Sequence, residues 1–392
     1  MEELRKKILV VFGTRPEAIK MAPLTLALLN IPEIECRICV TAQHREMLDQ
    51  VLQLFNITPD YDLNLMKRNQ DLFDITSRIL VGLKSILSDF LPDLVFVHGD
   101  TSTSFSAALA AFYNQIPIGH IEAGLRTHNM YSPWPEEINR QLTARLTTYH
   151  FAPTALNMKN LIKEGIKEEN IVVTGNTVID ALYSVTEMLS NNESLQNRCI
   201  QDLIDAGYSP ADGRLSRQTY SKNRVILVTG HRRENIGDGF IEICKGLSKI
   251  AENNPTVDIV YPVHLNPKVR TPVSNMLSGY NNIYLTDPLD YLPFVYLMSK
   301  SYIILTDSGG IQEEAPALGI PVIVLRENTE RPEALEANTA KLVGTDSTAI
   351  HSEVQMLLDS IKKYEKVSSR INPYGDGKAT ERIVSFIKDE IF

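Results

Sequence analysis

Arg15 and Lys20 follow the apolar run Ile8-Leu9-Val10-Val11 through the glycine turn of FGTRPEAIK, with Glu17 between them. Cations at the mouth of a helix, just past the carboxyl end of a strand, suit an anion, which the bare amides of the first helical turn also attract. Other apolar runs end in the same way. His98 and Asp100 close VFVHGD, His120 and Glu122 close IGHIEAG, and His231 with Arg232-Arg233 closes ILVTGHRRE. His264 closes VYPVH, and Asp307-Ser308-Gly309-Gly310 closes YIILTDSGG. Reactive side chains gathered repeatedly at strand ends predict a polar, charged cleft.

The clusters suggest different chemistry. In TDSGGIQEEA a Gly-Gly turn opens a helix, and glycine lets phosphate oxygens approach bare backbone N–H groups closely, as a diphosphate requires. Glu313 and Glu314 either accept from ribose hydroxyls or merely complement the helix dipole. Asp100 in VHGDTSTS is either the N-cap of an alanine-rich helix or an acid/base group. HIEAGLRTHNMYSPWPEEINR carries Glu122, Arg126, Glu136 and Glu137 across an irregular stretch with the only tryptophan. Crowded carboxylates of this kind serve proton transfer, because mutual repulsion pushes their titrations apart. His231-Arg232-Arg233 and Arg331-Pro332 add cations, so that a leaving group such as a nucleoside diphosphate has its charge neutralised as it departs. No G-x-G-x-x-G follows a strand and no G-x-x-x-x-G-K-[ST] occurs, which argues against dinucleotide and P-loop readings. His98-x-Asp100 has no evident third ligand, and Cys36-x-x-Cys39 has no second CxxC or His pair to complete a zinc site. No metal and no cofactor are expected, and the cysteines are read as buried, reduced thiols.

These residues need a scaffold with many strand ends. A chain of 392 residues exceeds one ordinary core and fits two domains. Its 39 cations and 48 anions give a net charge of −9, which disfavours a general nucleic-acid or anionic-membrane surface. The longest apolar runs are strand-length, short of the ~20 residues a membrane span needs, and the acidic start Met1-Glu2-Glu3 has no signal-peptide core behind it. The cytoplasm is the expected compartment.

Strand, turn and helix alternate along the chain. KILVVFG leads to a helix ending near Asn30, and CRICVT to a helix with Met47, Val51, Leu54 and Phe55 on one face. Leu72, Ile75, Ile79, Leu83, Ile86 and Phe90 recur at helical spacing until Pro92. DLVFVHG and IPIGHIEAG are further strands, and a polar helix-like stretch covers about Glu187–Ile204. DAGYSPADGRLSRQTYSKN lacks apolar period and reads as a surface excursion at about 208–223. The pattern then restarts with RVILVTG, DIVYPVH, NIYLTD, YIILTDSGG and PVIVL. The α/β class follows: two Rossmann-like domains with parallel sheets facing across a cleft. The first is placed at residues 1–175 and the second at 176–373.

The chain resembles the non-hydrolysing UDP-N-acetylglucosamine 2-epimerases of bacteria. The matching stretches are FGTRPEAIKMAPL, TAQHREMLDQVL, VHGDTSTS, EAGLRTHNMYSPWPEE, TGNTVIDAL, VTGHRREN, YPVHLNP, LTDSGGIQEEAPALG, TERPEA and NPYGDG, ordered along essentially the whole chain. The resemblance implies the GT-B arrangement of two Rossmann domains, with the helix ATERIVSFIKDE in residues 374–392 crossing back onto the first. It implies reversible epimerisation at C2 between UDP-N-acetylglucosamine and UDP-N-acetylmannosamine, through elimination of UDP to 2-acetamidoglucal and re-addition, for surface polysaccharide synthesis. It implies no nicotinamide or metal, and a homodimer. Asp100, Glu122 and Glu136 resemble the acid/base carboxylates and His231 the group assisting UDP departure. Arg15 and Lys20 resemble the substrate-side cations. Ser308, Gly309 and Gly310 resemble the diphosphate site, Glu314 the ribose contact, Arg331 the phosphate side, and Leu289 and Phe294 the border of the uracil. Gln43, His44, Arg45 and His264 resemble a regulatory site for a second UDP-N-acetylglucosamine. The stretch before VILVTGHRRE is longer than is usual in the family. Two alternatives share the nucleotide features: a glycosyltransferase of the same fold, and a hydrolysing relative that releases free N-acetylmannosamine.

Overall fold

The computed structural model describes residues 5–390, except 43–44, 67–69, 211–214, 216–223, 231, 233–234 and 236. The chain divides into two compact units, residues 1–181 with 374–392, and residues 182–373.

The first unit runs β1 (Lys6–Phe12), α1 (Arg15–Leu29), β2 (Ile34–Val40), α2 (Arg45–Leu54), β3 (Tyr61–Asp62), α3 (Leu72–Phe90), β4 (Leu94–His98) and α4 (Ser102–Tyr113). It continues with β5 (Ile118–Ile121), α5 (Glu136–Leu146), β6 (Tyr149–Ala152), α6 (Ala155–Lys163), β7 (Ile171–Val173) and the start of α7 (Thr177–Ser190). The strands form a parallel sheet in the order β3-β2-β1-β4-β5-β6-β7. Ile8 to Phe12 are wholly buried, as a central strand covered on both faces must be. α1 starts sharply because Thr14 and Glu17 form a capping box and Pro16 sits in the first turn. α3 buries Ile75, Ile79, Leu83, Ile86 and Phe90, the expected helical stripe.

The second unit runs α8 (Glu193–Asp205), β8 (Arg224–Thr229), α9 (Asp238–Asn253), β9 (Val257–Pro262), α10 (Pro267–Leu277), β10 (Ile283–Thr286) and α11 (Tyr291–Lys300). It ends with β11 (Ile303–Thr306), α12 (Gly309–Ala317), β12 (Val322–Val324), α13 (Pro332–Glu336), β13 (Ala340–Leu342), α14 (Ser347–Asp359) and α15 (Ile361–Ser368). Its parallel sheet has the order β10-β9-β8-β11-β12-β13. The last helix, α16 (Ala379–Glu390), returns to the first unit and packs on α1. Asp180 holds its start by accepting from the Ala379 and Thr380 amides at 3.3 and 2.8 Å, and Phe386 meets Tyr149 and Phe151 edge-on.

The α/β expectation of two Rossmann-like units is met. Several local expectations change. The buried stripe of α2 is Leu48, Val51 and Leu52, continued by Phe55, while Met47 is exposed, because the helix presents the positions one step later in its turn. The polar stretch expected as one helix is split at Asn191-Asn192, where the Asn192 side chain caps α8. β3, β6, β7 and β13 have two to four residues each, too few for alternation to register in the sequence. Most of the excursion at 208–223 lies outside the described residues; Tyr208 is buried and donates to Asp258 at 3.0 Å. No described helix is long and apolar enough to cross a membrane.

Candidate active site

Strand order decides where each unit can hold a ligand. In a doubly wound sheet the crevice opens where successive connections leave a strand for opposite sides. In the first unit that point lies between β1 and β4, and in the second between β8 and β11. The turns after β1 and β4 carry Arg15 and Asp100, and the turn after β11 carries Ser308, Gly309 and Gly310.

A buried carboxylate ties the two turns of the first unit together. Glu17 is 1% exposed. One of its oxygens accepts from the Gly13 and Thr14 amides at 3.0 and 2.8 Å, the other from the Thr101 and Ser104 hydroxyls at 2.6 and 2.9 Å. Burial raises its pKa, and these four donors oppose the rise. The N-cap of α4 is Thr101, whose hydroxyl accepts from the Ser104 amide. The capping alternative for Asp100 is therefore overturned, because the chain turns one residue later. Asp100 instead faces Arg140 of α5, at 2.7 and 2.9 Å, and its carbonyl accepts from Asn139.

Glu122 stands at the end of β5 with φ +63°, a left-handed backbone that costs a non-glycine residue about 1–3 kcal/mol. The turn aims its carboxylate at Lys20, with which it forms a short ion pair, and at the Asn176 amide, 2.9 Å away. The His98 ring lies 3.7 Å from the same oxygen. Burial, the largest influence, pushes His98 down to about 3 and His120 down to about 4, so both rings are neutral near pH 7. His120 meets the Gly99 carbonyl at 2.7 Å. Glu136 opens α5, and its Oε2 is buried without a hydrogen-bond partner among the described residues. An acceptor kept unsatisfied in a polar site is available to a substrate.

Two residues grouped with these by sequence have other work. Glu137 is wholly buried and accepts from the Thr127 and His128 amides, from Gln141 and from Arg140. Burial would raise its pKa, but these bonds hold it below the usual range. It fixes the loop ahead of α5. Arg126 forms a bidentate pair with Glu164 at 2.7 and 2.9 Å and anchors the same loop.

In the second unit the Ser308 side chain leaves the first amides of α12 uncapped. Gly309 and Gly310 place no side chain at this turn: a Cβ at Gly309 would sit 3.7 Å from the Arg331 guanidinium, and one at Gly310 3.3 Å from the Glu314 carboxylate. Arg331 is held by a short ion pair to Glu313, which is buried. Glu313 thus serves Arg331, and Glu314 alone of the two remains at the mouth of the turn. Asp307 is wholly buried and accepts from the Arg232 amide at 2.9 Å and from Asn235 at 3.3 Å, linking the turns after β8 and β11. Leu289 and Phe294 are half-buried on either side of the start of α11.

His231, Arg233, Gln43 and His44 lie outside the described residues. Arg45 is engaged by Asp49 and Asp62, and the exposed His264 accepts from the Asn266 amide at 3.0 Å. Among the described residues no group of three or more His, Cys, Asp or Glu has a metal-binding arrangement. Cys36, Cys39, Cys199 and Cys244 are free and buried, each thiol pushed up to about 12 by burial. Arg140 and Asn176 were not singled out by sequence reasoning. They stand inside quoted motifs, PWPEEINR and TGNTVIDAL, but nothing local tells which carboxylate they meet.

The chain as a whole is similar to known proteins. A family model described as UDP-N-acetylglucosamine 2-epimerase matches residues 26–388. A UDP-N-acetylglucosamine 2-epimerase of Campylobacter jejuni is 56% identical over 382 residues, covering 97% of each chain. The crystal structure of the Neisseria meningitidis UDP-GlcNAc 2-epimerase bound to UDP-GlcNAc is similar with a TM-score of 0.87 at 52% identity, covering 98% of this chain and 100% of that one. That of the Methanocaldococcus jannaschii UDP-GlcNAc 2-epimerase in complex with UDP-GlcNAc and UDP is similar with a TM-score of 0.78 at 32% identity, covering 97% and 99%.

Proposed function

The chain belongs to the UDP-N-acetylglucosamine 2-epimerase family, and on that premise we propose that it interconverts UDP-N-acetylglucosamine and UDP-N-acetylmannosamine. The observation that carries the reading is the pair Asp100 and Glu122, acids at neighbouring strand ends of the first unit, each held by its own cation, Arg140 and Lys20.

The C2 hydrogen of the sugar is not acidic, having no ketone beside it. Breaking the C1–O bond first, with UDP taking the electron pair, develops positive charge at C1 and acidifies C2. A carboxylate then takes the C2 proton, and a C1=C2 double bond closes to give 2-acetamidoglucal. Delivery of a proton to the opposite face of C2 and return of the UDP oxygen to C1 complete the epimer. Two faces need more than one proton-handling group, and Asp100, Glu122 and Glu136 take these roles. Arg15 and Lys20 meet the substrate's negative charge, and His231 assists the departure of UDP. Ser308, Gly309 and Gly310 receive the diphosphate, Arg331 its phosphate side and Glu314 the ribose, while Leu289 and Phe294 border the uracil. The bare amides of α12 support this assignment.

Activation by a second UDP-N-acetylglucosamine at Gln43, His44, Arg45 and His264 belongs to the same reading. So does a homodimer, supported by exposed Phe73 and Val81 on α3 and by Phe112 and Tyr113 on the adjoining α4. A cytoplasmic site of action is supported by the four free thiols. The product supplies N-acetylmannosamine units for surface polysaccharide. The test is incubation with UDP-N-acetylglucosamine in heavy water without acceptor. Deuterium entering C2 of both nucleotide sugars is expected. Sugar transfer without exchange would favour a glycosyltransferase, and accumulation of UDP with free N-acetylmannosamine a hydrolysing enzyme.

A further inference from the structure

We propose that Asn176 is a positioning residue for the reaction, fixing the orientation of the Glu122 carboxylate and keeping one of its oxygens an acceptor. The inference rests on the reading of Glu122 as a proton-handling group given above.

Asn176 is 3% exposed and pinned on three sides. Its Oδ1 accepts from the Val178 amide at 3.0 Å, so the side-chain amide cannot turn over. Its Nδ2 is thereby left facing Glu122 Oε2, 2.9 Å away. Its backbone amide donates to the Tyr374 carbonyl at 2.7 Å, on the segment that returns to the first unit. Two glycines make that seat: Gly175 and Gly375 have φ of +89° and +139°, and a Cβ on Gly375 would lie 3.4 Å from the Asn176 nitrogen. A donor whose own orientation is locked offers Glu122 hydrogens only. It therefore favours the ionised carboxylate and resists rotation of that group.

Charged or titratable groups that also face Glu122 include Lys20 from α1, His98 from the end of β4 and His120 from β5. The Lys20 ammonium sits on a flexible stem and is a substrate-side cation in the proposed function, so its contact can be exchanged for substrate during turnover. Both imidazoles are neutral over the working range. Asn176 is the neighbour with a fixed direction.

Asn176→Asp separates positioning from simple support of the fold. It keeps the acceptor for the Val178 amide and the backbone bond to Tyr374, and replaces the donor facing Glu122 by a second carboxylate. C2 exchange in heavy water is expected to fall about 10- to 100-fold at pH 8. The gap from the parent should narrow as pH is lowered, because two facing carboxylates then share a proton and the hydrogen bond is restored. UDP affinity should stay at the parent value, and any fall in melting temperature at pH 8 should recover as pH is lowered and the facing carboxylates share a proton. Asn176→Ala removes the donor, together with the acceptor for the Val178 amide, without adding charge, so its loss should not narrow with pH; it also decides the matter if the aspartate variant fails to fold. Glu122→Gln is measured beside them. Parent-like exchange and pH profile in Asn176→Asp, with Glu122→Gln inactive, would overturn the role of Asn176 alone. A pH-independent loss in Asn176→Asp accompanied by a lower melting temperature would reduce Asn176 to a structural residue. Parent-like exchange in Glu122→Gln would remove the reading of Glu122, and this inference with it.

Discussion

The two sheets open their crevices at equivalent points, yet fill them with opposite chemistry. After β1, β4 and β5 of the first unit come ionisable side chains, each fixed by partners: Glu17 by four donors, Asp100 by Arg140, Glu122 by Lys20 and Asn176. After β11 of the second unit come two glycines and an uncapped helix start, where the useful groups are backbone amides and the side chains withdraw. One topology thus presents cation-paired carboxylates in one unit and backbone amides in the other, because the fold dictates only where the turns converge. The turn residues dictate what is offered there. The cost also differs. Ionisable groups in the first unit must be desolvated and paired, whereas the amides of α12 need only be left bare.

This contrast can be broken most severely at the carboxylates. Asp100→Asn and Glu122→Gln keep the size of the side chain and remove the proton acceptor, so each should lower the rate of C2 exchange about 10²- to 10⁴-fold. UDP affinity should hardly change, and calorimetry with UDP beside the exchange assay checks both. An equal loss in affinity would mean that these acids only shape the nucleotide site.

A smaller and opposite effect is expected in the second unit. Arg331→Ala removes a cation next to Gly309 and should weaken UDP binding about 10- to 100-fold, the worth of a charge-assisted contact. It also leaves the buried Glu313 without this ion-pair partner, so the melting temperature should fall too. Gly309→Ala is milder. Its Cβ meets the Arg331 guanidinium at 3.7 Å, so the fold should tolerate it, while a methyl group is added at the turn proposed to receive the diphosphate. A loss of UDP affinity of about tenfold or less, at unchanged melting temperature, is expected. If affinity is untouched, the bare-amide reading of α12 fails.

The last prediction concerns acid stability. His98, His120 and His150 are all in the first unit, and burial lowers them to about 3, 4 and 3. Each is a base whose folded-state value lies below its unfolded value of 6.5, so the unfolded chain binds more protons below that pH. Their contribution to stability is complete above pH 6.5 and is lost as pH falls towards 3–4, at about 1.4 kcal/mol per pH unit for each ring. The first unit should therefore unfold before the second on acidification. Hydrogen exchange resolved by segment at pH 5 and pH 7 would reveal the order, and earlier opening of residues 182–373 would contradict it.

Much of this was readable in the sequence. The strand runs, the capping box at Thr14 and Glu17, the helical stripe from Ile75 to Phe90 and the Gly-Gly turn before α12 all depend on residues within one or two turns of each other. Local sterics and hydrogen bonding settle such features, and the order of residues records them directly. Partnership across the fold is another matter. Asp100 meets Arg140 forty positions away and Glu122 meets Asn176 fifty-four away. The residues alone left Asp100 either a cap or an acid/base group, and only the family resemblance, not local chemistry, separated Glu136 from Glu137 and Glu314 from Glu313. Those choices follow from strand order, from the left-handed turn at Glu122 and from which face of a helix start is buried. A periodic pattern states that a face will be covered but not by what. Only the packed chain, where each charge must find its counterpart out of water, assigns the partners.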